Sequence, residues 1–283
     1  MGSQIIKTLT IIWILSLSGI ASAHFMPENN LHLEDEAPND MTEKQFNGVI
    51  TKAENYYKPI VKEMGKVLEI KGYWSNAAVN ANATRYSDKN NQYWIVNMYG
   101  GLARRPEINL DSFTMVVCHE IGHHLSGFPL GFSWAANEGQ SDYFVGLTCA
   151  RRLWENETEE NAAAAKTVSS TAKKMCDEQW SSSNERHLCY RIINGAASLG
   201  ALIGKSSSVS IETPDAGVVD ETQNFHPKAQ CRFDTYVQAA LCNAEWDETL
   251  IPETAADSAR VTCTRADGYE VGVRPLCWFK PKD

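Results

Sequence analysis

The sequence predicts an α+β protein: a small antiparallel or mixed sheet with an edge strand, packed on a metal-binding helix and further helices, with a disulfide-stapled C-terminal part. Three observations predict it. Apolar residues recur at helical spacing after residue 42, at strand spacing over residues 67–99, and at helical spacing again from residue 111. A His-Glu-x-x-His pattern falls in the first helix after the strands. All eight cysteines lie between Cys118 and Cys277, with no Cys-x-x-Cys pair.

The elements follow in order. Lys7, the apolar stretch Leu9 to Ile20 and the small-x-small run Ala21-Ser22-Ala23 read as a secretory signal peptide over residues 1–23, with the mature chain starting near His24. The apolar stretch falls short of the roughly 20 residues that a bilayer span needs, and no later segment is long and apolar enough to cross one. Residues 24–41 are polar and acidic, carry Pro27 and Pro38, and read as a flexible arm. Thr42 caps a helix with Phe46, Val49, Ile50, Tyr57, Ile60, Val61 and Met64 on its apolar side, interrupted at Pro59. Val67 to Trp74, Val79 to Tyr86 and Gln92 to Tyr99 read as strands, the last two joined by the turn at residues 87–91. Asp111 or Ser112 caps a helix running to about Ser126, and another runs from about Ala135 to Trp154. Residues 158–175 read as a further helix, 200–224 as a long loop and 227–246 as helix. With no repeat and no clean linker, residues 42–283 form one domain with its core at about 67–242.

Composition narrows the function. Lys plus Arg number 26 against 35 Asp plus Glu, a net charge of -9. Nucleic acid and anionic membrane surfaces both need clustered cations, so neither is an expected partner. An even cysteine count in an exported chain implies a disulfide framework. Among its possible pairs, Cys118–Cys149 would join two helices, and Cys176–Cys189 and Cys263–Cys277 are neighbours in the chain.

Chemistry concentrates at His119-Glu120-Ile121-Gly122-His123. Positions i and i+4 share one helix face, so His119 and His123 can meet one ion. Zinc accepts neutral imidazole nitrogen, and Glu120 beside it can take a proton from a zinc-activated water. A catalytic zinc wants a third protein ligand, and Glu138, which follows His123 after 14 intervening residues, is the candidate. The loop Gly127-Phe128-Pro129-Leu130-Gly131 supplies the reversal that brings it back. Asp142, one turn after Glu138, is placed to accept a ring N–H from a ligating His. His124 points about 100° away from His123 and is read as a second-layer or surface residue.

These residues resemble the H-E-x-x-H … E-x-x-x-D layout of gluzincin metallopeptidases. Two further pieces are similar to the HtpX-type branch. One is Asn80-Ala81-Asn82-Ala83 with the later Gly101-Leu102; the other is His226-Pro227 followed by Arg232. The resemblance spans about residues 67–242. The short gap from His123 to Glu138, the missing membrane helices and the cysteines depart from that branch. The resemblance implies zinc-dependent hydrolysis of peptide bonds, with His119, His123 and Glu138 as ligands and Glu120 as general base. It makes His226 and Arg232 oxyanion donors or substrate-positioning groups. It also implies a polypeptide substrate lying along an edge strand, taken as residues 92–99. An exported non-catalytic zinc-binding or interaction protein on the same scaffold is the alternative, and a zinc hydrolase of non-peptide amides is a third reading. Location is periplasmic or secreted.

Overall fold

The computed structural model describes residues 22–31, 37–205 and 208–281. Apart from Ser22 and Ala23, the predicted signal peptide lies outside the described residues. The architecture is α+β, a mixed four-stranded sheet packed on helices. Strand β1 (Ser22–His24) leads to helix α1 (Glu43–Glu63), then β2 (Val67–Tyr73), β3 (Ala81–Ser87) and β4 (Gln92–Tyr99).

The sheet order is β1-β3-β4-β2. Strand β3 runs antiparallel to both neighbours, whereas β4 pairs with β2 in parallel, from Val67 opposite Tyr93 to Tyr73 opposite Tyr99. This corrects the sequence reading of residues 92–99 as the edge. Strand β4 is interior because Trp94, Ile95, Val96 and Met98 are buried, and a strand apolar on both faces belongs mid-sheet. The parallel pairing needs the 74–80 segment to cross over, and Gly101 makes room for it. A Cβ there would lie 2.0 Å from the Ala77 carbonyl oxygen, while its own N–H donates to the Asn76 carbonyl.

Helix α1 begins as predicted. Thr42 accepts from Gln45 N, and the Gln45 side chain returns to the Thr42 N–H, so two orphan donors are satisfied reciprocally. Pro59 does not interrupt it: Pro59 is exposed and the helix continues to Glu63, burying Phe46, Ile50, Ala53, Tyr57 and Val61. The short α2 (Gly100–Ala103) precedes α3 (Leu110–Leu125), whose cap is Asn109 rather than Asp111 or Ser112; Ser112 is its capping-box partner. The helix expected from Ala135 starts later, because Ala135 and Ala136 form β6 (Ala135–Ala136) against β5 (Leu130–Phe132). Asn137 then caps α4 (Glu138–Phe144), which runs through a π-turn at Val145–Cys149 into α5 (Ala150–Trp154).

The expected helix over 158–175 is two, α6 (Thr158–Ala163) and α7 (Ser170–Gln179). Ser169 restarts the chain by capping with its side chain. A 22-residue helix that the sequence reading did not identify follows, α8 (Ser183–Gly204), which takes the first residues of the predicted long loop. Helix α9 (Ala229–Leu241) packs on α8 and α4, and α10 (Ala255–Arg260) lies in the tail. Four disulfides form: Cys118–Cys149, Cys176–Cys189, Cys231–Cys277 and Cys242–Cys263. The first two match the sequence reading. Cys263 pairs with Cys242 rather than Cys277, because the tail folds back over α9 and presents one cysteine to each of its ends.

The described part of the 24–41 segment is no loose arm. Phe25 and Met26 are buried in the core, and the Asn39 side chain donates to the carbonyls of Ala103, Arg105 and Ile108. No helix among the described residues is long and apolar enough to cross a membrane.

Candidate metal centre

Helix α3 is buried from Ser112 to Leu125. Strands β3 and β4 lie on one side, and α1, α4 and α8 on the others. A helix in that position is expected to be apolar all round. Ser112 and Thr114 spend their hydroxyls on the first turn, on Asn109 and on the Leu110 carbonyl. The remaining exceptions are His119, Glu120, His123 and His124.

The approach of α4 decides what His119 and His123 can do. Gly122 sits between them, and a Cβ there would come within 3.1 Å of the Ser141 Cα. The close approach places Glu138, at the start of α4, against both imidazoles. Its Oε2 lies 3.2 Å from His119 Nε2 and its Oε1 3.7 Å from His123 Nε2. The opposite ring nitrogens are committed elsewhere. His119 Nδ1 meets Asp142 Oδ1 at 2.7 Å, and His123 Nδ1 meets the Ala136 carbonyl at 2.8 Å and Ser141 Oγ at 3.0 Å. A proton on each Nδ1 leaves each Nε2 with a lone pair turned toward Glu138.

His119, Glu120 and His123 bring one ligand atom each within 4.8 Å of one another. Both Nε2 atoms, both Glu120 oxygens and Glu138 Oε2 are buried without a hydrogen-bond partner. One such atom costs about 1–3 kcal/mol, so a converging group of them is unstable unless something fills the space between. Two neutral imidazoles and a carboxylate are the donor set of a tetrahedral divalent cation with one position left open. The residues present therefore fit a metal ion.

Beneath this group lies a buried charge network. Asp142 accepts from Arg232 Nε at 2.7 Å and Arg232 Nη2 at 2.8 Å, from His119, and from the Tyr236 hydroxyl. Burial alone would raise the Asp142 carboxyl, but Arg232 and His119 hold it well below the usual carboxylate range. For His119, burial works against the charged form, yet Asp142 and Glu138 lift it to about 9, so a cation taken up at Nε2 would displace a proton there and give the neutral form. Burial dominates at His123, lowered to about 4, and at Glu120, pushed well above the carboxylate range. The His226 Nε2 lies 3.4 Å from Glu138 Oε2.

The fold thus brings His119, Glu120, His123, Glu138, Asp142, His226 and Arg232 to one place. Arg232 reaches the site through Asp142. His124 is neither a surface residue nor part of the cluster: it is buried between the Trp94 and Trp134 rings, at 5.4 and 5.0 Å, and its Nε2 meets the Ile95 carbonyl. Sequence reasoning missed Tyr236, Ser141 and Phe25. Tyr236 had a signal, since it stands four residues after Arg232 on one face of α9; the other two had none. A second cluster, Asp215 with Cys231 and Cys277, is closed to metal because its sulfurs form a disulfide. The chain matches no protein-family model, no curated protein and no solved structure, and its own geometry carries the functional reading.

Proposed function

We propose that this protein is an exported, zinc-dependent endopeptidase, periplasmic or secreted. The observation that carries the reading is Glu120. His119, His123 and Glu138 suffice to hold an ion, so a purely structural site needs no further carboxylate. Yet Glu120 is buried beside them with both oxygens unpartnered, and a role as base gives that carboxylate a reason to be there. Zinc held by the two Nε2 atoms and Glu138 would supply Lewis-acid polarisation of a carbonyl and a water acidic enough to ionise near neutral pH.

The chain's own residues account for the remaining steps. Glu120 takes a proton from the attacking water and passes it to the leaving amine. His226 donates its Nε2–H to the oxygen on which negative charge builds. Asp142 fixes the ring orientation of His119, and Arg232 holds Asp142. The disulfides fit an oxidising compartment.

The test starts from metal content. Elemental mass spectrometry on oxidised protein should give about one zinc per chain. Chelator-sensitive cleavage of an unfolded protein then separates this reading from a non-catalytic zinc protein, and product analysis separates it from hydrolysis of other amides. Glu120→Gln should keep the metal and lower turnover by about 10²–10⁴-fold. Unchanged turnover in that variant removes Glu120 from the role of base.

A further inference from the structure

The metal centre is closed to solvent. His119 and Glu120 are 0% exposed, His123 1% and Glu138 6%. A peptidase must admit a peptide to this place, so what closes it matters. Part of what covers it is the beginning of the described chain. Ser22, Ala23 and His24 run antiparallel to β3, opposite Thr84, Ala83 and Asn82. The pairing continues beyond β1: Phe25 N–H donates to the Ala81 carbonyl at 3.1 Å and Met26 N–H to Asn80 Oδ1 at 3.0 Å. Asn80 Nδ2 returns a bond to the Met26 carbonyl at 3.0 Å.

Sheet pairing explains those bonds but not the other set. The His24 carbonyl accepts from His226 Nε2 at 2.8 Å, and that nitrogen lies 3.4 Å from Glu138. The Phe25 carbonyl accepts from Arg232 Nη1 at 2.6 Å. The Phe25 ring is fully buried, edge-on to His119 at 5.3 Å and under the Arg232 guanidinium at 4.7 Å. The amide joining His24 to Phe25 is therefore gripped at both ends, its oxygen by His226 and its N–H by Ala81, beside the metal-facing side chains. An extended peptide added to an edge strand, with one amide turned to the catalytic groups, is how a substrate would lie here.

We propose that Ser22–Met26 is a built-in substrate of this centre, and that the chain hydrolyses its own His24–Phe25 peptide bond. The inference rests on the peptidase reading above. One water is consumed. Its oxygen bonds to the His24 carbonyl carbon, the C–N bond breaks, and His24 leaves as a carboxylate. Glu120 takes one proton of that water and delivers it to the Phe25 nitrogen; the second passes from the new carboxyl group to the same nitrogen, which becomes the ammonium of the new amino terminus. In a chain that still carries Ser22 and Ala23, loss of Ser22–His24 uncovers the outer edge of β3 and opens the cleft on that side to other extended peptides. The bond lies one residue beyond the Ala23–His24 junction expected for signal-peptide removal, so the first residue of the product identifies which event made it.

The experiment follows full-length wild type and Glu120→Gln, oxidised and supplied with zinc, by intact mass and N-terminal sequencing over time. Wild type should convert to a chain beginning at Phe25, at a rate unchanged on dilution, while Glu120→Gln retains His24. Casein added to the same preparations separates the two levels. Casein cut with His24–Phe25 intact overturns self-hydrolysis and leaves the peptidase reading standing. Zinc bound with neither bond cut overturns the peptidase reading itself. A rate that rises with concentration overturns hydrolysis within one chain. A readout without turnover is amide hydrogen exchange on metal-free Glu120→Gln. There the Phe25 and Met26 amides should exchange at least roughly tenfold more slowly than in unstructured peptide. Free-peptide exchange rates at both amides would remove the segment from the cleft.

Discussion

On the floor of the candidate metal centre, Asp142 alone takes bonds from His119, Arg232 and Tyr236, all of them buried, and Cys118–Cys149 ties α3 to the turn after α4. Over that floor lies β1, three residues long and paired on one side only. The floor is held by charges that cannot be separated without leaving one unpaired in a medium that solvates it poorly. The overlying strand is held by individual hydrogen bonds, each worth about 0.5–1.5 kcal/mol net. The contrast teaches how one site can be rigid where its buried side chains converge and looser in the strand that lies over them.

The largest expected effect would break the floor. Arg232→Leu strands the Asp142 carboxylate and should cost about 3–5 kcal/mol in chemical unfolding. A loss below about 1 kcal/mol would mean that Tyr236 and His119 satisfy Asp142 alone, and the contrast with the strand would collapse. A smaller change sharpens it. Asp142→Asn keeps the shape but weakens the grip on His119, and titration with zinc should show affinity lower by about 10–100-fold. The smallest acts on the strand. Asn80→Ala removes two bonds to Met26 and should move global stability by no more than about 1–2 kcal/mol. Hydrogen exchange at the Met26 amide should nonetheless quicken; equal loss of protection across α3 would show that strand and floor unfold as one unit.

The legible parts of this chain were those fixed by local spacing. The i, i+4 histidines, the carboxylates one turn apart on α4 and the Thr42 capping box all follow from helix geometry. Helix α8 was not legible: Ser182 and Glu185 offer a capping signature, but Gly195, Gly200 and a run of Ala and Ser dilute the apolar period. Sheet order was not legible, because β2 pairs with β4 past its sequence neighbour and β1 pairs with β3 across about 60 residues. Nor was the burial of Phe25 and Met26, two apolar residues in a polar, proline-bearing stretch. Their partners come from α3, α9, β3 and Asn80 just before it, so only the folded chain reveals them. The cysteine pairs divided the same way: Cys176–Cys189 is local, whereas Cys231–Cys277 depends on where the tail turns.

One consequence of His124 concerns the angular setting of α3. The Cys118–Cys149 disulfide and the His119–Asp142 contact hold α3 on the side of α4. His124 holds it on the side of the sheet. Its ring is clamped face to face between two indoles, its Nδ1 accepts from Arg85 of β3, and its Nε2 is tied to the Ile95 carbonyl of β4. His123 precedes it by one residue, about 100° around the axis. Sheet and helix are thereby locked in phase, and the direction in which His119 and His123 aim is set by a neighbouring imidazole facing away from the cluster.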